Sequence, residues 1–178
     1  MIIGIPKEIK NNEFRVSLTP EGASVLTLKK FTVLVEKDAG KNSNFFSEDY
    51  EKENGIPKQA YKFKKELSAS LGIIISFAEH NGSYTAAFKN IFDWISRIEK
   101  IVWYNKPMFL LSTSDGSRGG ISVLKTAYER ISRGNPNSIP TFSLPNFHQN
   151  FDIESGIINS VLKKEFNSCL SLFTKNLL

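Results

Sequence analysis

The chain is poor in thiol and imidazole side chains: it has one cysteine, Cys169, and two histidines, His80 and His148. A single thiol excludes an intramolecular disulfide and fits a reducing compartment, so a cytoplasmic location is expected. So few soft donors leave no basis for a dedicated zinc site, and no metal is expected. No apolar run approaches the roughly 18 residues that a membrane span needs, so no membrane partner is expected. The opening Met1-Ile2-Ile3-Gly4-Ile5-Pro6 carries no basic leader and no signal-cleavage pattern. The dinucleotide fingerprint Gly-x-Gly-x-x-Gly is absent, as are internal repeats and low-complexity linkers. No constellation of acid, base and nucleophile stands out, so no catalytic side chain is assigned.

What is present reads as one ordinary domain. The chain has 178 residues, 40% hydrophobic and 23% charged, enough to bury a core. Its net charge of +5 raises the question of nucleic acid. The cations are spread along the chain, however, and no nucleic-acid motif accompanies them. The clusters Lys62-Phe63-Lys64-Lys65 and Lys163-Lys164 fall in helical segments, where solvated faces are expected. A modest positive balance also suits ligands that carry phosphate.

Strand and helix patterns alternate from end to end. Ile2–Ile5 reads as a strand. Thr19-Pro20-Glu21-Gly22 opens a helix with Thr19 as N-cap and Pro20 at the first helical position. Residues 31–35 form a second strand, and 41–56 are polar and irregular. Pro57 to Ser70 reads as a helix with Ala60, Phe63 and Leu67 inward. Residues 72–77, with Ile73, Ile74 and Ile75, read as a strand buried on both faces. A helix over 84–96, a strand over 108–113, a helix over 121–132 and a strand over 139–144 follow. A long helix from about Ile153 to Phe173 closes the chain, and Cys169 within it reads as core filler. Five strands separated by helices predict an α/β fold: a parallel sheet with helices on both faces. The flavodoxin-like order 2-1-3-4-5 fits, in a single domain over 1–178.

Ligand sites in such sheets lie beyond the carboxyl ends of strands. Two polar loops are placed there. The first is Glu79-His80-Asn81-Gly82-Ser83. Asn81 and Gly82 suit a turn with positive φ, and Glu79 suits a cap for the helix that follows. The second is Ser112-Thr113-Ser114-Asp115-Gly116-Ser117-Arg118-Gly119-Gly120. Its glycines permit close approach of backbone to a flat ligand. Either loop could also be an ordinary connection. Phe92 and Trp94, on the intervening helix, suit a core or a dimer face.

Residues 73–94 closely resemble the flavin-contacting segment of the NAD(P)H-dependent FMN reductases. Glu79, Asn81, Gly82, Ser83, Lys89, Asn90, Asp93 and Trp94 fall in register with Pro-Glu-Tyr-Asn-Gly-Ser and Leu-Lys-Asn-x-x-Asp-Trp. The likeness covers about residues 51–178 and includes Arg118-Gly119-Gly120. It implies that Glu79, His80, Asn81, Gly82, Ser83, Ser112, Ser114, Asp115, Gly116, Arg118 and Gly119 grip the isoalloxazine of FMN, largely through backbone groups. It further implies NAD(P)H as electron donor, passage of hydride through the flavin to a flavin or quinone acceptor, and a homodimer. Two positions depart from the family. Asp115 replaces a proline or small residue, with Arg118 available to offset its charge, and Leu71 replaces aspartate or alanine.

The first 50 residues resemble a different family. Pro6-Lys7-Glu8, Arg15-Val16-Ser17-Leu18-Thr19-Pro20 and Val33–Gly40 resemble the start of alanine dehydrogenases and of the transhydrogenase α subunit. The FMN reductases instead place Gly-Ser-x-Arg-x-x-Ser here, as a phosphate cradle at a helix N-terminus. Lys7, Arg15 and Thr19 are the leading local replacements for that cradle, with Lys10, Asn11, Asn12 and Ser17 beside them. A long solvated connection is the plainer reading of the same loop. Both a natural fusion and a recombined or engineered chimera fit this juxtaposition. The leading expectation is a flavin-dependent NAD(P)H oxidoreductase. Its rival is an inactive, non-enzymatic chimera with an impaired phosphate site.

Overall fold

Two compact units divide the chain, one up to Asp49 and the other from Tyr50. A computed structural model describes residues 2–5, 20–35 and 48–177. The first unit holds β1 (Ile2–Ile5), α1 (Pro20–Leu28) and β2 (Thr32–Val35). β1 and β2 pair in parallel, Ile2 opposite Thr32 and Ile5 opposite Val35. α1 ends where Lys30 adopts φ 64°. The Phe31 N–H then reaches the Leu26 carbonyl at 3.1 Å, and the Lys30 N–H reaches Thr27 at 2.9 Å. That is a Schellman closure with lysine in the place glycine usually takes. The expected N-cap, Thr19, lies outside the described residues.

The remaining elements are α2 (Glu48–Asn54), α3 (Lys58–Ala69), β3 (Ile73–Phe77), β4 (Glu79–His80) and β5 (Ser83–Tyr84). After them come α4 (Ala86–Ile98), β6 (Met108–Thr113), α5 (Ile121–Ile131), β7 (Thr141–Leu144), α6 (Phe147–Asn150), β8 (Phe151–Asp152), β9 (Gly156–Ile157) and α7 (Ser160–Lys175). α2 falls within the stretch read from sequence as irregular. β3, β6 and β7 form a parallel sheet with β6 at the centre. The described ladders are therefore one three-stranded and one two-stranded parallel sheet, together with two short antiparallel hairpins, rather than one five-stranded ladder.

Side chains alternate across the pleat, so the two faces of the larger sheet can be read from β6. Phe109 packs on Phe166 and Phe173 of α7, and Phe142 of β7 meets Phe166 edge-on. On the other face Phe77 of β3 packs on Tyr84 and Phe88, and the ring series continues through Phe92 to Trp103. Burying one such side chain contributes about 1.5–3 kcal/mol. β3 is covered on one face only. Ile73 and Phe77 are buried, whereas Ile74 is 53% exposed and Ser76 is exposed. The isoleucine run suggested two buried faces, but α7 packs over β6 and β7.

The closing helix begins later than its apolar spacing suggests. Residues 151–157 form the β8–β9 hairpin instead. The Asp152 carboxylate accepts from the Glu154 and Ser155 N–H groups and from the Ser155 hydroxyl. Gly156 takes φ 74°. Asn159 then caps α7, accepting from Val161 and Leu162 N–H. Cys169 is half-buried, its thiol 3.5 Å from the Thr141 carbonyl, and burial pushes its pKa up. It fills the core.

Lys64 contradicts the expected solvated face. The buried stripe of α3 is Ala60, Lys64 and Leu67, while Phe63 points outward. The Lys64 ammonium donates to the Val102 carbonyl at 2.9 Å and lies 3.7 Å from the centroid of the Tyr104 ring. Glu99 stands 3.7 Å away. The stem packs while the charge is satisfied by carbonyls and a π face. Burial lowers the pKa of Lys64, and Glu99 only partly restores it.

Lys64→Ala should therefore destabilise the protein by about 1–3 kcal/mol, because two carbonyls lose their donor. Lys64→Met separates charge from packing. Below the ordinary lysine range the unfolded chain binds the proton more tightly than the folded one, so this lysine's contribution rises with pH. Urea unfolding from pH 7 to 10 should show wild type gaining on Lys64→Met. Parallel curves would refute the assignment.

Candidate functional site

β3 and β6 are parallel neighbours, so the loops leaving Phe77 and Thr113 start at the same end of the sheet. After Phe77 the chain makes a tight hairpin, β4–β5, in which His80 opposes Ser83. Asn81 and Gly82 have φ 50° and 76°, the pattern of a two-residue type I′ turn. His80, Asn81, Gly82 and Ser83 are exposed, and Glu79 is half-buried. Thr85, not Glu79, caps α4, accepting from the Phe88 N–H at 3.1 Å.

Glu79 caps a different helix. Its carboxylate accepts from the Val123 N–H, in the first turn of α5, at 2.9 Å. A carboxylate there meets the positive end of the helix dipole as well as an otherwise unpaired donor. This bond ties the hairpin to the helix that the second loop feeds.

The second loop is held from beneath. The buried Ser112 hydroxyl donates to the Gly119 carbonyl at 2.8 Å, and the Ser143 hydroxyl donates to the same oxygen at 2.9 Å. Gly119 and Gly120 both have positive φ, 57° and 73°. A Cβ on Gly119 would collide with the Ser143 hydroxyl and sit 2.9 Å from the Pro145 nitrogen. Asn146 and Phe147 donate their N–H groups to the carbonyls of Gly116 and Ser114, each at 3.0 Å. The loop thus rests on β6, β7 and the start of α6.

Its tip faces outward. Asp115, Gly116, Ser117 and Arg118 are exposed. Among the described residues the N–H groups of Gly116, Ser117 and Arg118 have no protein acceptor. Asp115 pairs with His148 at 3.2 Å, and Arg118 bonds the Ser122 hydroxyl. Asp115 thus has the His148 imidazole as its partner, and Arg118, expected to offset the carboxylate, is engaged with Ser122 instead.

The sequence-derived residues therefore divide by what they do. Asn81, Gly82, Ser83, Gly116 and Arg118 are exposed on the outside of the loops. Ser112 and Gly119 are committed to holding the second loop, and Glu79 joins the two. Lys7, Arg15 and Thr19 lie outside the described residues. Phe92 and Trp94 are buried in the core, Trp94 edge-on to Tyr50. Sequence reasoning missed Asn146 and His148; the Pro145-Asn146 turn signal directly after β7 was the available clue. Among the described residues no group of three or more histidine, cysteine or carboxylate side chains gathers to hold a metal.

Two glycines of one loop should behave differently. Gly119→Ala should cost about 1–3 kcal/mol from its backbone conformation alone, before the collision with Ser143. Gly116→Ala, whose nearest atom would be 3.9 Å away, should stay within about 0.5 kcal/mol of wild type by urea titration. Loss of the cap in Glu79→Ala should cost about 0.5–2 kcal/mol, and Glu79→Gln, which keeps an acceptor, should recover most of it. Equal losses in the alanine and glutamine variants would rule out the capping role.

The comparisons with known proteins meet this geometry from two sides. FerB of Paracoccus denitrificans, a flavoenzyme NAD(P)H:(acceptor) oxidoreductase, is similar in fold with a TM-score of 0.58 at 14% identity. The match covers 99% of this chain and 94% of that one. An oxidoreductase from Corynebacterium diphtheriae matches with a TM-score of 0.55 at 12% identity, again over 99% and 94%. The fold is thus α/β and flavodoxin-like. The alanine dehydrogenase of Staphylococcus saprophyticus is 62% identical over 50 residues, 28% of this chain and 14% of that protein. That of Bacillus subtilis is 61% identical over 51 residues, 29% of this chain and 14% of the enzyme. The chain thus spans about one seventh of the length of these dehydrogenases. The family model for NADPH-dependent FMN reductase matches residues 2–148, most of the chain, and the protein belongs to that family.

Proposed function

We propose that the protein is an NAD(P)H-dependent flavin oxidoreductase that holds FMN at the carboxyl end of β3 and β6. The observation that carries this reading is the Glu79–Val123 bond, which fixes the hairpin beside the N-terminus of α5. A flat ring with carbonyl oxygens needs N–H donors that the protein has not already used. The exposed amides of Gly116, Ser117 and Arg118 suit that need. Gly82 and Gly116 leave open space where a side chain would otherwise project. FMN held there would supply the redox chemistry, the transfer of reducing equivalents from NAD(P)H to a flavin or quinone acceptor. The chain's own part is to bind, orient and shield the ring. No side-chain acid or base is assigned to the transfer, and the named residues are proposed as cofactor contacts only.

Several finer features belong to the same proposal. The active form is a cytoplasmic homodimer. The whole chain serves as one flavodoxin-like domain with strand order 2-1-3-4-5, of which the described ladders contain the pair β1–β2 and the trio β3, β6, β7. The second reading is a chimera with an impaired cofactor site. It is favoured by one specific observation, the dehydrogenase-like residues standing where the family's phosphate loop would be.

Flavin titration separates the two. A working cradle built from Lys7, Lys10, Arg15 and Thr19 should make FMN bind at least tenfold tighter than riboflavin, equivalent to about 1.4 kcal/mol or more from the phosphate. Arg15→Ala should then erase most of that margin. If the loops grip the ring without a cradle, the two flavins should bind weakly and alike. An absence of fluorescence quenching by either flavin at about 1 mM, a concentration matching only about 4.1 kcal/mol of binding, would favour the inactive chimera.

A further inference from the structure

A cavity of about 440 Å³ lies on the α7 face of the three-stranded sheet. Leu111, Phe142, Leu144, Phe147, Ile157 and Phe166 form most of its wall, and Ser155, Lys163 and Asn167 supply polar groups. Lys163 and Asn167 also line a second depression along α7, together with Lys164, Ser160, Ser168 and Ser171. An apolar chamber therefore opens onto a basic, hydroxyl-rich strip. Its size and lining are those of a small-molecule site: mostly apolar and aromatic, with a few polar groups on one side.

The chemistry of the occupant follows from what the wall leaves unpaired. Lys163 and Lys164 make no ion pair among the described residues. In the hairpin the Asp152 carboxylate is held in its own turn by the Glu154 and Ser155 N–H groups, and Glu154 itself is exposed. Glu165 is exposed on α7 and adjoins the two lysines in sequence. The Ser112 and Thr113 hydroxyls at the strand end are already donated, to the carbonyls of Gly119 and Leu144. A wholly apolar guest would ignore the lysines, and a bare phosphate would waste the aromatic wall. We propose that this cavity binds a small amphipathic organic anion, with its flat aromatic or short acyl body against Leu111, Phe142 and Phe166 and its charged head at Lys163. The cavity touches the strand end at Ser112 and Thr113, but its wall is mainly β6, β7, the β8–β9 hairpin and α7, whereas Glu79 anchors the hairpin of the proposed flavin site to α5.

Two fluorescent probes of similar shape test this on the full-length protein. Anilinonaphthalene sulfonate carries the negative charge, and N-phenylnaphthylamine lacks it. The sulfonate should saturate at one per chain and bind about tenfold tighter than the neutral probe. Octanoate should displace it, and octanol should do so poorly. Lys163→Glu should abolish the tenfold preference while leaving the neutral probe within about twofold, and Lys163→Arg should keep it. Saturating FMN should leave both titrations unchanged, so a failed flavin site and a failed anion site give different results. Equal affinity for the two probes, a Lys163→Glu variant that binds like wild type, displacement by FMN, or no saturable binding would each overturn the proposal.

Discussion

The carbonyl of Gly119 holds the candidate site together. It is buried, and an unpaired carbonyl in such a place would cost about 1–3 kcal/mol. Two hydroxyls from two adjacent strands, Ser112 and Ser143, supply its partners. The loop after β6 is thereby fastened to β6 and β7 at once. That fastening requires the backbone of residue 119 to press against Ser143 and Pro145, which a side chain would prevent. With this end fixed, the loop turns through two residues of positive φ straight into α5, and the first turn of α5 presents the N–H that Glu79 captures. The outward tip is thus the free remainder of a loop whose base is committed to structure.

Electrostatics follows the same division between base and tip. At the base, each polar group is consumed locally. At the tip, Asp115 and His148 pair across exposed ground, where ion pairs contribute little and are screened by salt. Their pairing matters more for position than for energy, since it draws the Asp115 carboxylate toward α6. Buried Lys64 behaves differently. Far from the loops, it joins α3 to the segment between α4 and β6 through carbonyls and an aromatic face. There the charge is retained at a cost, and its partners are what make it tolerable.

Much of this was legible in the chain because it rests on local rules. β6 and the loop after it are readable from the four-residue apolar run Met108–Leu111, which leads into Gly- and Ser-rich sequence. The Asn81-Gly82 turn was readable because few residue pairs accept two positive φ values. Where sequence reading failed, a distant partner had decided the outcome. Periodicity placed Phe63 inward, yet Lys64 is buried, because waiting carbonyls at residues 101 and 102 can satisfy its ammonium. Glu79 could be recognised as a cap, but not as the cap of α5, since Val123 lies 44 residues away. Ile153 and Ile157 match helical spacing, which extends the expected closing helix beyond the observed start of α7 at Ser160. The Asx-type turn at Asp152 and the cap at Asn159 override that match.

The two halves of the proposed cofactor, ring and phosphate, place different demands on a protein. Isoalloxazine recognition through backbone amides asks little of side-chain identity, so the loops at 79–83 and 114–120 can keep their geometry with His80 and Asp115 in unusual places. Phosphate recognition asks much more, because it depends on several charge-assisted bonds converging on one group. In the proposed reading those bonds would come from the segment that is 62% identical over 50 residues to an alanine dehydrogenase. Ring binding would therefore be separable from phosphate binding in that reading: the first would depend on the loops at 79–83 and 114–120, the second on the cations at residues 7–15.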